Sequence, residues 1–276
     1  MVNFRNSSFF KEKQLHEIFK DGKYVLQGDF PENDVDDDMN KKYQFGIPPQ
    51  PFQGDPDAAI WVLLANPRYK EKDAATGKQI VLGDQSLFRN SRNRITCIDQ
   101  LSFKKTEGRF CNYVLNHEFN YYYGRNWFFD HFTGKYKLLS NARELEFRSR
   151  TPEDPEENHF LDRLDERFFL LQVHGYASKE YDDSDYFPHM EYNKALLRWG
   201  IAAGKVILIA RSIRYWQKVI ESMDHDDAKI FVMLNHRNTS FTRNNLVRYD
   251  EWKQSRRILT IAGARVEQDL ESALGK

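Results

Sequence analysis

Four short apolar stretches of this 276-residue chain each run into residues able to do hydrogen-bond chemistry. Ala58 to Ala65 stops at Asn66-Pro67, and Phe168 to Val173 carries Gln172 and is followed by His174. Lys205 to Ala210 gives way to Arg211-Ser212, and Lys229 to Leu234 leads into Asn235-His236 and the loop Arg237-Asn238-Thr239-Ser240-Phe241-Thr242-Arg243. A carboxamide offers an acceptor and two donors, a neutral imidazole one of each, and a guanidinium donors only, so this set suits gripping a polar ligand and orienting water against it. Taken singly, each feature has an ordinary structural use: Asn-Pro is turn chemistry, a glutamine at a strand end pairs with backbone, and scattered arginines are solvated. Their shared address carries the weight. In an open parallel sheet all four polar ends fall at the carboxyl edge of the strands, where loops and helix N-termini converge on ligands.

The elements that would place them there follow from pattern. Apart from Gln172 and the leading Lys205 and Lys229, each of the four runs is apolar throughout and too short for a typical helix, as a strand buried on both faces should be. Between the later runs lie helical repeats. His189 to Ala203 puts Met190, Asn193, Leu197 and Ile201 near one face and ends at Gly204, a natural C-cap; Ile213 to Met223 groups Trp216, Val219, Ile220 and Met223. A last helix spans about Asp250 to Ala262 and closes on Gly263. This alternation predicts an α/β fold, three layers α/β/α around a central, mostly parallel four-stranded sheet. Upstream, Phe9 to Phe19 reads as a short amphipathic helix, the acidic run Asn33 to Asp38 as a solvated loop, and Ile47-Pro48-Pro49-Gln50-Pro51-Phe52 as an extended lead-in. The expected organisation is a single domain over 1–276, with an N-terminal extension of about 1–57. A long insertion over about 70–165 is rich in Tyr, Phe, Arg and Asn and includes the aromatic cluster Tyr121 to Phe129, read as core.

Composition narrows the function classes. Lys plus Arg equals Asp plus Glu, 41 against 41, so no global basic field draws the chain to nucleic acid and any such contact must be local. Two cysteines, Cys97 and Cys111, cannot build a disulfide framework, which fits a reducing cytoplasm. No apolar stretch of bilayer-spanning length occurs, and the expected location is cytoplasmic with no membrane partner. Zinc spacings such as H-E-x-x-H and C-x-x-C are missing, and the acidic run lacks the spaced ligands and glycine of a calcium loop, so no metal or other cofactor is expected.

The segment Leu63-Leu64-Ala65-Asn66-Pro67-Arg68-Tyr69 resembles the water-positioning loop of the uracil-DNA glycosylase superfamily, written G-Q-D-P-Y-H in one branch and G-x-N-P-G in others. Leu234-Asn235-His236-Arg237-Asn238-Thr239-Ser240-Phe241-Thr242 is similar to its second loop, of the type H-P-S-P-L-S. Between them, Leu170-Leu171-Gln172 resembles a strand ending L-L-N, and Val206 to Ser212 a strand entering a helix. The resemblance covers the first strand and most of the final 110 residues. Small residues before Asn-Pro are replaced by Leu64 and Ala65, Arg68 follows the proline, and both prolines of the second loop are missing.

The resemblance implies cleavage of an N-glycosidic bond by water, with positive charge building on the sugar and negative charge on the departing base. Asn66 would position the water through its carbonyl oxygen; it is a weaker base than aspartate, so turnover would be slow. His236 would donate to the base oxygen, and Gln172 would read a base edge. Arg237, Asn238, Ser240, Thr242 and Arg243 would hold the nucleic-acid backbone, with Arg248 extending the basic rim. An aromatic among Tyr69, Phe88 and Trp127 would sandwich the base. The implied partner is nucleic acid, DNA first, or a nucleotide. A non-catalytic binding protein on the same fold and a small-molecule nucleoside or nucleotide hydrolase stay open beside the enzyme. The missing prolines and Arg68 favour the binder; Asn66, His236 and strand order favour the enzyme.

Overall fold

The computed structural model describes residues 4, 7, 15–20, 22–30, 35, 37–67, 98–105, 110, 168–178, 182, 184–223, 229–234 and 245–254. In chain order they form β1 (Glu17–Lys20), β2 (Lys23–Leu26), α1 (Asp37–Lys42), β3 (Tyr43–Gln44), β4 (Phe52–Gly54), β5 (Ile60–Leu63) and β6 (Phe168–Leu171). There follow β7 (Ala177–Ser178), α2 (His189–Ala202), β8 (Val206–Ile209), α3 (Ile213–Glu221), β9 (Ile230–Met233), β10 (Leu246–Arg248) and α4 (Tyr249–Gln254). A further helical turn occupies 98–101.

All four apolar runs form strands in which every residue is buried. They lie side by side and parallel, β9-β8-β5-β6, with Leu63 level with Leu171 on one side and Ile209 on the other. Numbered by appearance, the parallel order is second, first, third, fourth. The chain therefore leaves β5 in one direction and returns to its other side, which makes the gap between β5 and β8 a topological switch point. The expected four-stranded sheet is corrected to six strands, because β4 and β10 pair antiparallel onto its two borders. The physical reason is plain for β4. Pro51 immediately precedes it, and a proline-flanked segment without a full set of N–H donors suits an edge.

One face of the sheet presents Trp61, Leu63, Phe169, Leu171, Ile207, Ile209 and Val232, which share a core with Leu196, Leu197 and Ile201 of α2 and Trp216, Val219 and Ile220 of α3. Burying side chains of this size contributes roughly 2–3 kcal/mol each. Close approach depends on Gly200, where a Cβ would stand 2.8 Å from the Trp61 ring. The opposite face, including Val62, Leu170, Leu208 and Phe231, is equally buried. Helix α2 ends as its sequence suggests, with Ala203 as C-cap and Gly204 in the left-handed region at φ 73°.

Two N-terminal expectations are overturned. Residues 17–19, placed in a helix by their amphipathic pattern, belong instead to the hairpin β1–β2, with Gly22 at φ 77° between the two strands. An Asp-Gly pair between apolar alternations is a strong hairpin signal and outweighs a short helical period. The acidic run also does not stay loop throughout: Asp37 and Asp38 open α1, where carboxylates complement the helix dipole. Phe4, Val25, Leu26, Val35, Tyr43 and Phe45 of the N-terminal region belong to the main core. Among the described residues no helix is long and apolar enough to cross a membrane.

Candidate functional site at the carboxyl edge of the sheet

Beyond their last strand residues β5 and β6 continue to zip together. Leu64 N–H donates to Leu171 O (2.8 Å), and the amides of Val173 and His174 both donate to Ala65 O (2.9 Å each). This extension delivers Asn66 and the segment 172–178 to one place. The Asn66 amide nitrogen donates to Pro67 O (3.0 Å) and to Ser178 Oγ (2.6 Å). Because a carbonyl oxygen only accepts, the first contact fixes which way the carboxamide faces, and both of its N–H groups are committed. Its Oδ1 is the atom with capacity to spare. Pro67 O also takes the Ser178 N–H (3.1 Å), so the Asn-Pro turn and β7 are tied twice.

Gln172 stands next to this turn, immediately past the end of β6. Its backbone is held on both sides, the N–H by Pro51 O and the C=O by Asn193 Nδ2, both at 2.9 Å. The side chain is different: only 4 % of the residue is exposed, and Oε1 is buried with no hydrogen-bond partner. Leaving such an acceptor unsatisfied costs about 1–3 kcal/mol, a cost that an N–H donor from a ligand would remove.

At the switch point the chain is stapled. Ala210 and Arg211 amides converge on Leu63 O (3.0 and 3.2 Å), and Trp216 Nε1 donates to Leu64 O (3.0 Å). Ser212 takes the left-handed conformation, φ 52°, to start α3, a strained geometry for a residue with a Cβ. Arg211-Ser212 thus sits beside the Leu63–Leu64 backbone, one strand from Asn66.

Two networks, one buried and one reaching the surface, brace the loop after β6. In one, Asp29 accepts from the His189 backbone N–H (2.9 Å), His189 Nδ1 (2.7 Å) and the Tyr176 hydroxyl (2.6 Å). Tyr176 in turn accepts from Leu26 N–H (2.9 Å), and burial beside the Asp29 carboxylate holds its hydroxyl well above the usual tyrosine range. In the other, the Tyr43 hydroxyl donates to Asp185 and also meets His174 Nδ1 at 3.2 Å, while His174 Nε2 faces Asp185 O at 3.2 Å. Lys42 pairs with Asp182 (2.7 Å) and Asp185 (2.5 Å). Burial, reinforced by His189, pushes the His174 imidazole down to about 4.

Of the residues singled out by sequence, Asn66, Gln172 and Arg211-Ser212 share the carboxyl edge. His174 is wholly buried and cross-braces the loop. His236, Arg237, Asn238, Ser240, Thr242 and Arg243, with the aromatics Tyr69, Phe88 and Trp127, lie outside the described residues. Strand β9, which leads to His236, ends at Met233 two positions from β5 in the sheet, about 10 Å by strand spacing. Arg248 is removed from the proposed rim: it pairs with Phe231 in the middle of β9, its guanidinium carbon 6.0 Å from the Phe231 ring centroid. Sequence reasoning missed Ser178, Tyr43, Tyr176, Asp29 and His189; Ser178 reaches Asn66, Tyr43 reaches His174 and Asp29 reaches Tyr176 across more than a hundred residues, and His189 reaches Gly175 across 14. Among the described residues no group of three or more His, Cys, Asp or Glu is placed to hold a metal ion.

No protein-family model matches the chain, and neither the curated proteins nor the solved structures contain a significant match.

Proposed function

We propose that the carboxyl edge of the sheet binds a nucleobase and that the chain is a uracil-DNA glycosylase-like hydrolase acting on an N-glycosidic bond in nucleic acid, as in DNA repair. One observation carries the reading. Two carboxamide oxygens stand on neighbouring strand ends: Asn66 Oδ1, freed by the commitment of its own N–H groups, and Gln172 Oε1, buried and unpartnered. The first suits a water that must be oriented without a metal; the second suits a base edge presenting an N–H. His236 would supply the donor that stabilises charge on the leaving base, from the loop after β9. Arg237, Asn238, Ser240, Thr242 and Arg243 would take the flanking phosphates.

A second reading, a hydrolase of free nucleosides or nucleotides, is favoured by the charge around β7. There the described carboxylates Asp37, Asp38, Asp182 and Asp185 outnumber Lys41, which pairs with Asp38, and Lys42, which pairs with Asp182 and Asp185. A polyanion is repelled from that flank and would have to lie toward the β9 side.

Incubation with single- and double-stranded oligonucleotides containing uracil, hypoxanthine or mismatched thymine, followed by alkaline cleavage of abasic sites, tests the enzyme. Strand scission is expected, falling at least a hundredfold in Asn66→Ala and His236→Ala. Tight, salt-sensitive binding without scission would make the protein a binder, and base release from free nucleosides alone would establish the second reading.

A further inference from the structure

Asp29 and His189 belong to no step proposed above, yet both are buried and lie beneath the site segment 172–178. Among the described residues no lysine or arginine pairs with Asp29. Its carboxylate is satisfied by the two His189 N–H groups and by Tyr176. The other ring nitrogen, His189 Nε2, receives the Gly175 backbone N–H at 2.9 Å. That contact has only one consistent proton arrangement. Nε2 must carry a lone pair toward Gly175, so the ring proton sits on Nδ1 and points at Asp29. Gly175 has little freedom elsewhere: its C=O accepts from Gln50 N–H (2.7 Å), and a Cβ would fall 3.2 Å from Pro51.

We infer that Asp29 and His189 are positioning residues for this site: Asp29 fixes the His189 tautomer, and that tautomer holds Gly175 and with it the loop carrying Gln172 and Ser178. Asp29 comes from the segment after the β1–β2 hairpin and His189 opens α2, so the contact ties three separate parts of the chain to one amide. Replacing Asp29 by asparagine turns one acceptor oxygen into a donor. The ring is then driven to carry its proton on Nε2, where it opposes the Gly175 N–H and pushes the loop away. Tyr176→Phe removes one donor to Asp29 and leaves the tautomer intact.

The functional consequence rests on the nucleobase reading, whereas the tautomer does not, and the test separates the two. In ¹⁵N-histidine spectra of the full chain, the ring identified by its loss in His189→Gln should show the proton on Nδ1 and a through-hydrogen-bond coupling to the Gly175 amide. Asp29→Asn should move the proton to Nε2 and abolish the coupling, while Tyr176→Phe keeps both. A wild-type ring protonated on Nε2 overturns the inference whatever Asp29→Asn does; so does an Asp29→Asn protein that keeps both signals. With an active substrate from the oligonucleotide assay, Asp29→Asn should raise KM about tenfold and change kcat less than threefold, because Gln172 moves before Asn66 does. An unchanged KM overturns the positioning role even where the tautomer is as stated. Failure of every substrate in wild type counts against the nucleobase reading alone.

Discussion

Two Asp–His–Tyr clusters flank the loop after β6, alike in composition and opposite in proton accounting. Around Asp29 each donor has one acceptor: two N–H groups of His189 and the Tyr176 hydroxyl on the carboxylate, Leu26 N–H on Tyr176, Gly175 N–H on His189. Around Asp185 the inventory is tighter. His174 Nε2 faces a carbonyl and must donate, which leaves Nδ1 as an acceptor in the neutral ring, and the one Tyr43 proton then faces both Nδ1 and the Asp185 carboxylate. Lys42 and partial exposure make this workable, since the Asp185 side chain is 14 % exposed while that of Asp29 is fully buried. A buried carboxylate that meets no lysine or arginine among the described residues must be matched donor for donor; one near water with a lysine beside it can share.

The sharpest way to break the contrast is to delete each carboxylate. Asp29→Ala strands three buried donors and should cost about 3–5 kcal/mol in urea unfolding. Asp185→Ala should cost about 1–2 kcal/mol, because water reaches its partners. Equal losses would mean that the two clusters are not distinguished by solvent access.

Next in size is a pH effect carried by His174. His174 binds its proton in the folded state only near pH 4, against about 6.5 in the unfolded chain, so the unfolded state takes up protons first. Its contribution is complete above pH 6.5 and is lost as pH falls toward 4, up to about 3 kcal/mol. Stability measured from pH 7 to 4 should drop less steeply in His174→Gln than in wild type. Parallel curves would remove His174 as the cause.

The two hydroxyls give the smallest difference. Tyr176→Phe forfeits a bond to a buried carboxylate and leaves Leu26 N–H without its acceptor, about 2 kcal/mol; Tyr43→Phe should cost about 1 kcal/mol or less, read from thermal unfolding. A reversed order would show that the shared Tyr43 proton is worth more than its geometry suggests.

The strand core was legible because burial on both faces leaves unbroken apolar runs, and Asn66 and Gln172 were legible because each interrupts or ends one. Helices α2 and α3 were read from their buried stripes and, for α2, from Gly204. The border strands were not, since Phe52–Gly54 and Leu246–Arg248 are three residues long and carry no alternation to detect. The first hairpin was written in Asp21-Gly22 and overlooked in favour of a helical period. What holds the site was invisible for another reason. Ser178 reaches Asn66 across 112 residues and Asp29 reaches His189 across 160, and no local pattern encodes a partner at that distance.

The pairing of β5 and β4 with β6 also bears on the order in which the molecule assembles. Ile60 meets Phe168 and Phe52 meets Leu171, closing loops of about a hundred residues, whereas β8, α3 and β9 are near neighbours in the chain. Loop closure of that length slows pairing, so the C-terminal β8–α3–β9 unit is the natural early nucleus and the β5–β6 seam joins afterwards. Asn66 and Gln172 lie at the end of that seam. The carboxyl edge that carries the candidate site is therefore completed late in folding, and a chain halted part-way presents a sheet with that edge still open.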